Sequence, residues 1–528
     1  MHILPPRHLS LALAALIALA APGRLAAQSA EEVLRRHVKA VGGTNALRGI
    51  ASTRYLGAIT RSGQAEAPAG EFVWQFKRPA HFYEETRWPA AQGSGGGART
   101  TEAFNGRSAW RELPDGSLQT LTGQEPARAR AWATYRNDRF LTWKKQKSRA
   151  RLAGRKTLAG RPAFVLEFIT RTGLQRRIAF DAETHLILRE ESERGSGTET
   201  VLFGDYRRVD GVMEPHHIEI HRGGEAFEVR VLQVTHNLAL PDALFDFPQR
   251  AASPLPEIPT LLDSIFQNQM ALEAVVENYT YTMTETQVEV DGMGRLKQKF
   301  EKTFEVFYLD GHAIRKLVAN GGRPLEPAEA RKEDARVEKL IREHEERREK
   351  RAARLARQGQ APGATSNTGR DDDSDVTVAL FLRLSQFVHP RRERFRGREV
   401  VVFEFEPRTG YKARNRAESL IQKLAGVVWI DEQAKQVARL EARLLDSFKM
   451  AGGLVASVQQ GSALVFEQEM VRNEVWLPLY AEINLTARLF LVAGMKRNLV
   501  MRFSNYKKFN VETRSEVKPP SIPPENHD

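Results

Sequence analysis

The sequence predicts an α+β fold, mainly antiparallel β, built as two tandem units of open sheet with covering helices. Three observations carry this. Short runs of near-alternating apolar and polar residues, separated by Gly, Pro, Asp and Asn, fill most of the chain. Helical spacing is confined to a few stretches, one at the start of each half. Motifs of the first half return in the same order in the second. At 528 residues the chain is too long for a single core.

Residues 1–27 read as a secretory signal peptide. Arg7 and His8 precede an apolar run from Leu9 to Ala21, and Leu25-Ala26-Ala27 offers a small-residue cleavage site. The run is short for a bilayer span, and no other stretch reaches eighteen apolar residues. A soluble exported protein, periplasmic in a two-membrane bacterium and without a transmembrane helix, is expected.

The first domain is placed at 28–248. Val33, Leu34, Val38, Val41 and Leu47 form a helical stripe interrupted by Gly42-Gly43. From Thr53 to Phe247 the rhythm is that of strands, as in GEFVWQFKRP and AFEVRVLQVTHN. A proline-rich linker, 249–259, separates it from a second domain, 260–514. That domain opens with a helix over 260–279 and continues in strands. It carries a charged insertion, 326–375, made of a solvated helix (326–357) and a loop of disordered composition. Residues 515–528 form a frayed tail.

The halves correspond. GRPAFVLEFITRTG (160–173) matches GREVVVFEFEPRTG (397–410), and IAFDAETHLILREES matches VVWIDEQAKQVARLEAR. DYRRVDGVMEPHHIEI matches QEMVRNEVWLPLYAEI. The chain therefore reads as two diverged copies of one unit.

No cysteine is present, which excludes disulfides, a thiol nucleophile and thiolate metal sites. The net charge of +13 invites a nucleic-acid reading. An export signal favours anionic lipid headgroups instead, or a charge that only aids solubility. His216, His217 and His221 invite a metal or a hydrolase reading. On a strand, however, His217, Glu219 and His221 span roughly 13 Å, too far to converge on one zinc ion. The second copy has Leu479 and Tyr480 where His216 and His217 stand, but keeps Pro478 and Glu482-Ile483. The histidines are therefore read as structural, and neither catalytic nor metal-binding residues nor a cofactor are expected. The stretch 93–98, GSGGGA, lacks the helix that a phosphate loop needs. Glu84-Glu85 and Glu190-Glu191 are neighbours, so each pair splits across a strand.

The aromatic residues carry more. Trp74 and Phe76 share a strand face, and Trp110 follows in a later strand. Residues 127–156 read as helical and strongly basic, with eleven Arg or Lys against Asp138 alone. Trp132, Tyr135, Phe140 and Trp143 would form an apolar face beneath that charge. Such a segment suits an anionic membrane surface or the cover of an apolar cavity, or is an ordinary helix packed on a sheet.

Trp74 to Pro79, FNGRSAW (104–110), FDAETHLILR (180–189) and DYRRVDGVMEPH (205–216), after a helical opening, resemble the outer-membrane lipoprotein-sorting family. Its best-known members are the carrier LolA and its receptor LolB. The resemblance covers most of residues 30–247, with 260–512 as a more diverged copy. It implies two LolA-like open half-barrels under helical lids, and a non-catalytic periplasmic protein that shields acyl chains of lipids or lipoproteins. Trp74, Phe76, Trp110, Trp132 and Phe140 are the candidate cavity residues. The alternative is an RseB-like envelope sensor or scaffold, with helix 326–357 contacting a protein partner. No nucleic-acid partner is expected.

Overall fold

Alternating stretches become strands throughout the computed structural model, which describes residues 29–63, 69–90, 97–170, 174–194, 197–248, 254–290, 296–309, 312–357, 378–450, 456–489 and 493–508. The expected signal peptide and cleavage site (residues 1–28), much of the expected linker, the glycine-rich stretch near 93, the loop after residue 357 and the expected tail lie outside the described residues.

The first half opens with α1 (Ala30–Ala40) and α2 (Gly43–Arg48). Six strands follow: β1 (Ser52–Arg61), β2 (Gly70–Lys77), β3 (His81–Arg87), β4 (Arg99–Phe104), β5 (Ala109–Glu112) and β6 (Leu118–Thr120). After α3 (Glu125–Asp138) come β7 (Arg149–Leu158), β8 (Arg161–Ile169), β9 (Gln175–Asp181) and β10 (Ile187–Arg194). The half ends with β11 (Gly197–Val209), β12 (Val212–Arg222) and β13 (Glu225–His236).

The second half opens with α4 (Ile258–Val275), then β14 (Tyr279–Val290), β15 (Leu296–Leu309), β16 (His312–Asn320) and β17 (Arg323–Pro324). Next are α5 (Pro327–Arg357), α6 (Val378–Leu384), β18 (Ser385–Phe395), β19 (Arg398–Pro407) and α7 (Arg416–Ile421). Then come β20 (Leu424–Asp431), β21 (Gln436–Leu444), β22 (Phe448–Met450) and β23 (Ala456–Val458). The last strands are β24 (Ala463–Val471), β25 (Val475–Leu489) and β26 (Ala493–Lys508). The strands form two large antiparallel sheets that stay open rather than closing into barrels.

Contacts cluster into two compact units. One holds Met1–Gly49, Phe140–Arg171 and Gln175–Glu228; the other holds Ile50–Arg139, Thr172–Leu174 and Val229–Asp528. In the first unit, β7 to β12 pair in sequence order. Ser29 caps α1 by accepting the Glu32 N–H at 3.2 Å, and Val33 and Leu34 turn inward. Gly42, at φ +136°, joins α1 to α2. A Cβ there would stand 2.7 Å from the Gly211 carbonyl oxygen, so only glycine fits where the helical pair meets the start of β12. Met213 N–H donates to Val41 O at 2.9 Å, which docks the helices on that turn.

In the second unit, β6-β5-β4-β3-β2-β1 form one ordered run under α3. The other sheet runs β17-β16-β15-β14-β26-β25-β24-β21-β20-β19-β18. Its main core lies where α4, α6 and α7 cover β18 to β21, with Ile265, Ile421, Phe403, Val428 and Ile430 fully buried. The β20 glycine Gly426 leaves room for the Phe405 ring, which would lie 2.9 Å from a Cβ there.

The segment 127–156 is not one helix. Helix α3 ends at Asp138, and Arg139 and Phe140 take φ of 47° and 62°. Residues from Arg149 onward are β7, an edge strand whose alternate long side chains face solvent. Alanine and arginine are good helix formers, but intrinsic propensity is small per residue and the sheet edge overrides it.

The repeat extends to register. Ala163 faces Asp181 across β8 and β9, and Val400 faces Asp431 across β19 and β20. Arg161 pairs with Asp181 at 2.7 Å, and Arg398 pairs with Asp431. Ile220 faces Val201 as Ile483 faces Leu464, and Ile218 faces Phe203 as Ala481 faces Phe466.

Candidate functional site

Strand register sorts the aromatic candidates. Trp74 faces Tyr55 on one side and Glu84 on the other, while Phe76 faces Phe82, which faces Phe104. These side chains share the sheet face under α3. Trp132 descends from α3 to this face: its Nε1–H donates to Glu84 Oε1 at 2.8 Å, and its ring lies 6.5 Å from Phe76. The Arg136 guanidinium lies over Phe76 at 5.0 Å and over Trp132 at 5.4 Å. Trp74, Phe76 and Trp132 are thus one assembly. Beside it, a cleft lined by Thr53, Tyr55, Phe76 and Arg139 holds about 10 Å³, the size of about one water.

Trp110 belongs elsewhere. It faces Ala103 and Thr120, on the opposite face of the same strands. There it packs with Phe247 and Tyr83, and its Nε1–H donates to Phe245 O at 2.9 Å. Phe140 lies in the other unit, edge-on to Phe168 at 5.3 Å and to His37 at 5.6 Å. His37 donates to the His185 carbonyl at 2.9 Å, which fixes that ring.

The sheet under α4 carries a longer apolar face. From β21, Leu440 and Ala442 face Phe466 and Leu464. Those face Ala481 and Ile483, which face Met501 and Leu499. Phe503 then faces Met283, which faces Phe304. Tyr281, Tyr308 and Tyr506 gather at the end of β14, with the Tyr281 and Tyr308 hydroxyls 3.3 Å apart. Burial, reinforced by Tyr308, pushes the Tyr281 hydroxyl well above the usual range, so it stays neutral. Helices cover this face over β18 to β21, whereas Leu464, Phe466, Ile483, Leu499, Met501 and Phe304 are only half-buried. At its far end Phe300 is 41% exposed, and Met270 and Val275 on α4 are 41% and 38% exposed.

The opposite face of β18 to β21 is buried too, and sets charged side chains among Val400, Val402, Val427 and Trp429. Arg391 is fully enclosed. Its Nε donates to Glu393 at 2.9 Å, its Nη2 donates to Thr120 Oγ1 at 2.7 Å, and its guanidinium lies 4.8 Å over Phe247. Thr120 N–H donates to Glu393 at 2.9 Å. Glu404 accepts from Ser108 and from Asn105, and lies 3.1 Å from His389 Nδ1. Burial opposes ionisation of Glu404, but Arg391 and these donors outweigh it, holding its carboxyl below the ordinary range. Burial wins at Glu441 and pushes its carboxyl up, despite Arg439 and the Gly123 N–H.

Ser108, Glu404 and His389 lie together, but both the hydroxyl and the imidazole bond the carboxylate. A nucleophilic serine needs the imidazole between hydroxyl and acid, so this is a structural network. His216 bonds the Glu214 carbonyl at 3.1 Å, and His217 and His221 lie beside Glu228 and Glu219 respectively. Among the described residues these histidines do not converge, and no cluster suited to a metal ion forms. Nor is any described helix long and apolar enough to cross a membrane.

Sequence reasoning missed Arg391, Glu393, Glu404, Arg439 and Glu441. Arg439 and Glu441 alternate with Ala438, Leu440 and Ala442 as on an ordinary solvated strand face, Arg391 and Glu393 lie in a charged run, and Glu404 alone interrupts the apolar run Val400 to Phe405. Only the second layer on that face, supplied by β5, β6 and Phe247, makes it buried.

No family model matches the sequence, and no curated protein matches it. Among solved structures, the chain is similar to a putative outer membrane lipoprotein-sorting protein domain from Vibrio parahaemolyticus, with 15% identity over 41% of this chain and 97% of that one, at TM-score 0.30. It is similar to a LolA superfamily protein from Nitrosomonas europaea, with 16% identity over 42% and 98%, at TM-score 0.28. A Pseudomonas aeruginosa MucA/MucB complex matches over 90% of this chain and 99% of that one, with 9% identity and TM-score 0.16. The fold itself stands on the strand order and register given above.

Proposed function

We propose that the chain is an exported, non-catalytic binding protein that shelters acyl chains of lipids or lipoproteins against the apolar face of its second-half sheet. One observation supports this above others. The face that α4, α6 and α7 bury over β18 to β21 continues, apolar, across β24, β25 and β26 to Met283 of β14 and Phe304 of β15, where Glu285, Lys302 and Arg315 separate it from exposed Phe300. An acyl chain gains about 0.8 kcal/mol per buried CH₂, so such a carrier needs apolar area rather than reactive groups. The aromatic face under α3 is closed by Trp132 and serves as core in this reading. A dansyl-labelled long-chain fatty acid tests it. Saturable fluorescence enhancement is expected, weakened at least about tenfold by Met501→Asp and Phe300→Asp. Binding indifferent to both substitutions would sink the reading.

A second reading is favoured by α5. Its first turns are anchored: Lys316 pairs with Asp334 at 2.7 Å, Leu317 N–H donates to Glu333 at 2.7 Å, and Val337 is buried. Residues 345–350 are all exposed. A protein partner that reads this charged helix would make the chain a scaffold or sensor. Deleting residues 343–375 should then abolish complex formation in the native envelope and leave fatty-acid binding intact; unchanged complexes count against it.

A further inference from the structure

The turn between β4 and β5 gathers three arginines. Asn105 Oδ1 accepts the N–H groups of Arg107 and Ser108, both at 2.9 Å, and Gly106 takes φ +86°. The Gly106 carbonyl then receives two guanidiniums, Arg130 Nη2 from α3 at 2.9 Å and Arg443 Nη2 from β21 at 3.5 Å. One carbonyl dipole does not neutralise two full charges. Neither Arg130 nor Arg443 has a carboxylate at ion-pair distance among the described residues, and Arg443 Nε is buried with no hydrogen-bond partner.

The neighbouring acids are committed. Arg107 pairs with Glu406 at 3.0 Å. The carboxylate whose field reaches Arg443 is Glu404, already held by Ser108, Asn105, His389 and Arg391. Burial, reinforced by Arg130 and Arg107, pushes the Arg443 guanidinium down to about 9, and burial pushes Arg130 to about 10. Both side chains remain half-buried, so a small ligand can reach them.

We propose that Arg130 and Arg443, beside the 105–108 turn, form an oxyanion site that takes a phosphate group, either free or carried on a lipid headgroup. Two planar guanidiniums supply forked N–H donors, and a dianion matches the two uncompensated charges. Arg443 alternates with Ala442 and Leu444, so the site lies on the opposite face of β21 from the apolar surface and holds or fails independently of acyl binding.

The test uses the full chain, with calorimetric titration of inorganic phosphate and flotation with phosphatidylglycerol or phosphatidylcholine vesicles. Saturable phosphate binding that Arg443→Gln and Arg130→Gln each weaken at least about tenfold supports a free ligand. Binding to phosphatidylglycerol vesicles alone, with the same losses, supports the headgroup. No binding of either probe, or binding indifferent to both substitutions, overturns the proposal. Without anion, each glutamine variant should melt no lower than the parent, because repulsion is relieved. A large drop in both would make the arginines structural and also overturn it. Arg443→Lys, which keeps the charge and loses the fork, should retain the fold and bind more weakly than the parent.

Discussion

Among single residues, Arg391 carries the most consequence. It is the cation shared by Glu393 and Glu404 in a space that excludes water. Arg391→Ala strands two buried carboxylates, so a loss of about 3–5 kcal/mol is expected in urea unfolding. Arg391→Met combined with Glu393→Gln and Glu404→Gln should lose much less, because no charge is stranded. The carboxylates also set opposite pH responses. Glu404 titrates below its ordinary 4.5 when folded, so the unfolded chain binds more protons in the window beneath 4.5. Its contribution to stability is present above that value and fades as pH falls through the folded pKa. Glu441 titrates above 4.5, so its folded form binds more protons, and stability falls as pH rises from 4.5 through the folded pKa. Unfolding free energies measured against pH should therefore show Glu404→Gln flattening the acid limb, and Glu441→Gln raising stability near neutrality.

At the scale of elements, periodicity was a good guide where one face alone decides the structure. The stripe from Val33 to Leu47 became α1 and α2, and the opening of the second half became α4. Burying Ile265 of α4 among Phe381, Val428 and Leu440 makes that helix a lid on β18 to β21. Ile265→Ala should cost about 2–5 kcal/mol, read as a lowered urea midpoint with unchanged slope. Periodicity failed where the chain turns. Nothing in the run 127–156 marks the left-handed pair Arg139-Phe140 as the end of α3. The same limit split the aromatic candidates. Alternation places Trp74 and Phe76 together, but Trp110 lies beyond three turns, and its face depends on register that no single strand encodes.

For the whole molecule, the repeat was the most legible feature, because a one-residue slip would move every side chain to the wrong face. The echo of Glu219-Ile220 in Glu482-Ile483 reports shared register, and the Arg161–Asp181 and Arg398–Asp431 pairs confirm it. The buried charges were illegible for the complementary reason: one strand does not announce what lies over it. The global charge makes a last, separable prediction. Lys and Arg number 79 against 66 Asp and Glu, and many of the acids are held in ion pairs. The excess acts over about 10 Å at 0.1 M salt, whereas apolar contact does not depend on charge. Association with phosphatidylglycerol vesicles should therefore weaken at least about tenfold between roughly 50 and 500 mM NaCl. Fatty-acid affinity over the same range should change less than about twofold, since salt screens the approach to a membrane but not the burial of a chain. Parallel collapse of both affinities would mean that the fatty acid is held by its carboxylate, and the apolar face of β24, β25, β26, β14 and β15 would then be interior packing.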